Sequence, residues 1–175
     1  MLTEKGGLHV FYIQEPKNVQ KRPKMINFSK PVLLIDTREQ TPLDFSTHAD
    51  RFQHIIRSTL KEGDYSVYVP GDNRKIAFER KSLGDLVGTL IKGRDRFKRE
   101  LDRLRPYDYV CLLIEATYQE VSSPYSFSRV NPSSVLGTLQ SIQLQYGIDV
   151  VFAGSRRHSV EIAMSKIGAF YEEKG

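Results

Sequence analysis

The chain has 175 residues, of which 39% are hydrophobic and 27% charged, one domain's worth of ordinary globular sequence rather than a disordered chain. No apolar run approaches the roughly 18 residues that a membrane-spanning helix needs. The N-terminus lacks the layout of a secretion signal, and a single cysteine, Cys111, excludes an internal disulfide and a Cys-based zinc site, so an intracellular home is expected. Lys plus Arg is 26 against 21 Asp plus Glu, a net charge of +5, which makes nucleic acid a fair first partner without deciding it.

Residues 1–30 read as a region apart. Lys17, Lys21, Arg22, Lys24 and Lys30 crowd a stretch that also holds Pro16 and Pro23, and only LHVFYI (8–13) has strand character. The stretch is either a short edge strand with a solvated linker or a basic arm that touches phosphates. A better-organised region fills 31–175. VLLID (32–36) is an apolar run ending in an acid, as in a strand buried on both faces. Residues 47–56 read as a short helix. YSVYV (65–69) and KIAFERK (75–81) flank a PGDN turn and form a hairpin.

Ser82 then stands three residues before Asp85, the capping-box spacing, and Leu83, Leu86, Val87, Leu90 and Ile91 share one helical face up to Gly93. A second, charged helix spans about 95–104 with Phe97, Leu101 and Leu104 inward. YVCLLIE (109–115) is another buried strand, followed by a Ser- and Pro-rich loop (122–134). A helix carrying Val135, Leu136, Leu139, Ile142 and Tyr146, a strand at 149–153 and a last helix with Val160, Ala163, Met164, Ile167 and Phe170 complete the chain. Buried strands alternating with helices make a single α/β domain with a mixed sheet.

The chemistry-bearing residues are Asp36, Asp64, Glu79 and Lys81, at strand ends or within strands. Side chains alternate along a strand, so Glu79 and Lys81 share a face and Arg80 points the other way. A Glu-x-Lys pair is often a solvated face. On a buried strand it is costly unless compensated. If Asp36, Asp64 and Glu79 converge they repel one another, and three carboxylates suit a hard cation such as Mg²⁺ or Mn²⁺. Lys81 beside that cation can orient or deprotonate water or steady charge on a phosphate. Asp85 has two readings, a helix cap and a site residue. On the charged helix, Arg96, Arg99 and Arg103 form either a solvated row or a phosphate-binding one. The histidines at 9, 48, 54 and 158 show no metal-ligand spacing.

Taken in order, IDTREQ (35–40), EGDYSV (62–67), FERKSLGDL (78–86) and KGRDRF (92–97) resemble the XPF-type nuclease domain, whose hallmarks are Asp-x-Arg-Glu, Gly-Asp and Glu-Arg-Lys-x-x-x-Asp. Here these are Asp36, Arg38 and Glu39, then Gly63 and Asp64, then Glu79, Arg80, Lys81 and Asp85, with the family's Gly-Arg at Gly93 and Arg94. The resemblance is close over 32–115 and looser beyond. It implies a restriction-endonuclease-like fold and Mg²⁺- or Mn²⁺-dependent hydrolysis of DNA phosphodiesters, on branched, flap or recombination and repair DNA. By that resemblance Asp64 and Glu79 hold the metal, Asp36 completes the acidic cluster and Lys81 positions the attacking water. Arg38, Arg80 and Arg94 face phosphates or support the site.

The helix-hairpin-helix module that usually follows this domain has no counterpart in the sequence, so a small stand-alone nuclease of bacterial or viral type is expected. Cytoplasm or nucleoid fits that setting, and a nucleus is left open. A homodimer or a protein partner is also left open, and no membrane association is expected. The alternative to the enzyme is a non-enzymatic nucleic-acid-binding module on the same fold. The intact set of Asp36, Asp64, Glu79 and Lys81 favours the enzyme.

Overall fold

A computed structural model describes residues 30–172. The arm expected over 1–30, with its strand at 8–13, lies outside the described residues except for Lys30, whose ammonium donates to the Asp50 carbonyl. The elements are β1 (Val32–Asp36), β2 (His54–Ser58), β3 (Tyr65–Tyr68), β4 (Ile76–Lys81), α1 (Leu83–Lys92), α2 (Arg94–Leu104), β5 (Tyr109–Ile114), α3 (Tyr118–Ser122), α4 (Pro132–Tyr146), β6 (Asp149–Phe152) and α5 (Arg156–Glu172). They build one six-stranded mixed sheet in the order β2-β1-β3-β4-β5-β6. β1 pairs in parallel with β2 and antiparallel with β3, β3 pairs antiparallel with β4, and β4, β5 and β6 run parallel.

Strand alternation sends the two sets of side chains into two cores. Ile76 and Phe78 of β4 and Cys111 and Leu113 of β5 pack with Leu33, Ile35, Tyr65 and Val67 under Val160, Ala163 and Ile167 of α5. Ala77, Val110, Leu112 and Ile114 face the other way, against Leu86 and Val87 of α1, Phe97, Leu101 and Leu104 of α2, and Val135, Leu139 and Ile142 of α4. Each fully buried large side chain contributes about 1.5–3 kcal/mol, so the β4–β5 centre is the anchor of the fold.

Two expectations are corrected, and one helix joins the elements expected. Residues 47–56 do not form one helix: a 3-10 turn spans Ser46–Arg51 and His54–Ser58 is strand β2. His54, Ile55, Ile56 and Arg57 are all exposed, so no buried alternation marks this edge strand, and its pairing with β1 is decided from outside the segment. β1 is fully buried on one face only, through Leu33 and Ile35, while Val32 and Leu34 are half-buried, because the sheet's β2 side is less covered. Helix α3 lies just ahead of the expected loop. Its signal was in the sequence, a Thr117–Glu120 capping box in which the Thr117 hydroxyl accepts from the Glu120 N–H and the Glu120 carboxylate accepts from the Thr117 N–H.

Candidate active site

The site forms where the end of β1, the start of β3 and the end of β4 meet. Asp64 is clamped through its backbone: its N–H donates to the Phe78 carbonyl at 2.8 Å, and its own carbonyl accepts from the Asp36 N–H at 2.8 Å. Its carboxylate Oδ2 accepts from the Arg80 N–H at 2.8 Å. Gly63 precedes it at φ +77°, where an added Cβ would lie 3.1 Å from the Phe78 carbonyl oxygen. Positive φ and close approach together require glycine there, which is the physical content of the Gly-Asp motif.

Asp64, Glu79 and Lys81 line a cleft of about 520 Å³. Glu79 and Lys81 share a face as strand alternation dictates, with the Lys81 Nζ 2.7 Å from Glu79 Oε1. Burial, then the charge of Glu79, pushes the Asp64 carboxyl up to about 7. Burial also pushes Glu79 up to about 7, with Lys81 opposing and the Glu100 carboxylate adding to the rise. The floor of the cleft is thus a pair of crowded acids, partly neutralised by one lysine.

Asp36 lines the same cleft, with its carboxylate engaged by protein donors. It is 1% exposed, Oδ1 accepts from the Arg38 N–H and Nε at 2.7 and 2.8 Å, and Oδ2 accepts from Arg38 Nη2 and the Leu60 N–H at 3.1 and 2.7 Å. The bond from Arg38 is the main reason its carboxyl is lowered to about 2. A carboxylate has about four acceptor sites, and protein donors take them here. Among the described residues no three His, Cys, Asp or Glu side chains are grouped as a metal set, so the expected convergence of Asp36, Asp64 and Glu79 is not found in that form.

Arg80 leaves β4 on the side away from Glu79, yet Arg80 and its partner Glu39 still line the cleft. Its guanidinium meets Glu39 through Nη2 at 3.1 Å and Glu115 through Nη1 at 3.0 Å. Glu115 also pairs with Arg156 at 3.3 Å, whose Nη2 donates to the Thr41 carbonyl at 2.6 Å. These bonds tie the loop after β1 to the end of β5 and the start of α5.

Residues 35–165 match the ERCC4 domain. The chain belongs to the ERCC4-domain family. Among solved structures, XPF from Aeropyrum pernix superposes at a TM-score of 0.62 with 23% identity, covering 81% of this chain and 66% of that one. XPF from Aeropyrum pernix in complex with DNA gives 0.58, 23%, 80% and 66%. A candidate ATP-dependent RNA helicase of Methanocaldococcus jannaschii (MJ1505) is 24% identical over 134 residues, which are 76% of this chain and 15% of that protein. The chain therefore spans just under two thirds of the archaeal XPF chains and a small part of the helicase relative, and the structural likeness shows that it shares their fold, an α/β fold with one mixed sheet.

Within this ERCC4 domain, α2 sorts its charges by helical spacing. Arg96, Glu100 and Arg103, at i, i+4 and i+7, line the cleft, whereas Arg94 and Arg99 are exposed and do not line it. The expected grouping of Arg96, Arg99 and Arg103 therefore loses Arg99, which lies on the flank facing away from the core stripe of Phe97, Leu101 and Leu104. Arg103 reaches across to Glu62 at 2.5 Å. Sequence reasoning missed Glu100 and Glu115. Glu100 could have been found from its place between Arg96 and Arg103 on a stripe offset from the core, and Glu115 as an acid ending a buried strand. Lys61 and Glu62, ahead of Gly63, carried no signal.

Asp85 is exposed and outside the cleft. Ser82 Oγ accepts from the Asp85 N–H at 3.1 Å and donates to Asp85 Oδ2 at 2.6 Å. This is the helix-cap geometry expected from the sequence. Asp85→Ala is expected to cost about 0.5–2 kcal/mol in chemical denaturation and to leave the turnover per folded molecule unchanged. Lost turnover at parent stability would give Asp85 a role in the site instead.

Proposed function

We propose that this ERCC4 domain is an endonuclease that hydrolyses DNA phosphodiester bonds with Mg²⁺ or Mn²⁺, on branched, flap or recombination and repair DNA. The observation that carries the reading is the Asp64–Glu79 acid pair with Lys81 at 2.7 Å from Glu79, on the floor of a cleft whose lining includes Arg38, Lys61, Arg96 and Arg103. The donor set fits a hard divalent cation. Its ligands are carboxylate oxygens, and burial, joined at Asp64 by the charge of Glu79 and at Glu79 by that of Glu100, raises both carboxyls toward neutrality, a cost that a cation between them relieves. When bound, the cation supplies Lewis-acid polarisation and a water nucleophilic at neutral pH.

The chain's own residues do the rest. Asp64 and Glu79 hold the cation. Lys81 orients a water or donates to charge developing on the phosphate. Arg38, 67% exposed although chelated to Asp36, and the α2 arginines meet phosphates on either side, where forked guanidinium groups suit phosphate oxygens. Asp36 serves by holding Arg38. The archaeal XPF solved with DNA supports DNA as the polymer. Among the described residues no helix is long and apolar enough to cross a membrane.

Nicking of plasmid and cleavage of fork and flap substrates in Mg²⁺, Mn²⁺, Ca²⁺ and chelator tests the reading. Cleavage is expected in Mg²⁺ or Mn²⁺ and lost in chelator. Tight DNA binding without cleavage in either cation would instead make the chain a non-enzymatic binding module. For the cleft cations, Arg96→Ala and Arg103→Ala are each expected to flatten the dependence of log affinity on log salt by about one unit per lost phosphate contact. Arg99→Ala, outside the cleft, leaves the slope unchanged in fluorescence anisotropy titrations in Ca²⁺.

A further inference from the structure

We propose that Phe97 is the positioning residue for Lys81, an inference that rests on the reading of Lys81 as a working group of the nuclease site. The Lys81 side chain is 12% exposed, and an ammonium taken so far out of water is costly without partners. It has two. Glu79 lies 2.7 Å away, and the ring of Phe97 presents its face with the centroid 5.2 Å from Nζ, within the range where a cation is attracted to the ring quadrupole. Phe97 comes from α2, is 3% exposed and is packed into the core between α2 and the sheet, so the ring cannot swing away.

The two partners are not equivalent. Glu79 is shared, because the same carboxylate serves the divalent cation, and a carboxylate drawn to that cation holds the lysine less. The ring is the partner for which no divalent cation competes. It fixes where the ammonium points during the reaction, while Glu100, one turn further along α2 in the same cleft, keeps negative charge nearby. A core stripe with Leu101 and Leu104 asks only for a large apolar side chain at position 97. The aromatic ring answers a different demand.

Replacing Phe97 by mono-, di- and trifluorophenylalanine keeps its shape and weakens the negative potential of the ring face in steps. The kcat for DNA cleavage is expected to fall stepwise, by about three- to tenfold across the series, with KM and the melting temperature held. A second readout needs no cleavage: the Lys81 ε-methylene protons resonate upfield of other lysines in the full chain and return to ordinary positions in Phe97→Leu. A kcat indifferent to fluorination, or Lys81 resonances at ordinary positions in the parent protein, overturns the proposal. A parent protein that binds DNA and cleaves none overturns the nuclease reading itself, and the Lys81 resonances then still decide whether the ring holds the ammonium.

Discussion

Asp64→Asn is expected to abolish cleavage, by roughly 10³-fold or more in kcat, and at the same time to stabilise the metal-free protein at pH 8. Both effects come from one cause. Asp64 and Glu79 are each pushed up to about 7 in the folded protein from ordinary values of 3.8 and 4.5, so between those limits the folded state binds more protons than the unfolded chain. The stability these two groups contribute is then complete below about pH 4 and is lost as pH rises through 7, the opposite sense to a carboxylate held by a salt bridge, such as Asp36. An amide at position 64 removes one of the two repelling charges, and its oxygen still accepts the Arg80 N–H. The expected gain is about 1–2 kcal/mol at pH 8, or about 2–8 °C in Tm, vanishing at pH 4, where both carboxyls are protonated already. Added Mg²⁺ raises the Tm of the parent at pH 8 and not that of the variant. Calorimetry at both pH values with and without Mg²⁺ checks this, and a variant that cleaves at the parent rate would move the cation site elsewhere.

Arg80→Ala is expected to be the most destabilising single change near the site, at about 3–5 kcal/mol. Arg80 is a bridge between Glu39 and Glu115, whose side chains are 7% and 10% exposed, and its removal strips Glu39 of this partner and leaves Glu115 to Arg156. Arg80→Lys recovers only part, because an ammonium cannot reproduce the fork that spans both acids. The loss is expected to shrink when Glu39→Gln is added to Arg80→Ala, since one orphaned charge is then gone. Urea denaturation of the four proteins of that double-mutant cycle measures the coupling. Additive losses would reduce the bridge to a surface-like pair. Cleavage falls with stability in this variant, because Asp64 accepts from the Arg80 backbone rather than from its side chain. The two predictions separate two jobs carried by one tripeptide: Glu79 and Lys81 work beside Asp64, and Arg80 braces the cleft wall through Glu39 and Glu115.

Features set by near neighbours along the chain are legible in the amino-acid sequence alone. Strand alternation puts Glu79 and Lys81 on one side and Arg80 on the other, Ser82 announces the start of α1, and Phe97, Leu101 and Leu104 declare the inner face of α2. All of these depend on separations of two to four residues, which backbone geometry alone determines. The four-part motif points to the family for the same reason, as its members are short local strings. What the string does not contain is where its pieces meet. The exposed edge strand β2 exists because β1 offers it a parallel partner, not because of its own pattern. Asp36 shares its motif with Arg38 and is held by Arg38, but it is the Leu60 N–H, from a distant turn, that completes its hydrogen bonds. Glu115 is only an acid at a strand end until β4, β5 and α5 come together around Arg80 and Arg156. Glu100 is only a break in a basic row until α2 docks over the sheet and sets it beside Glu79 and Lys81. Charge and hydrogen-bond partners many residues apart in sequence are chosen by packing, and packing is a property of the assembled sheet and helices.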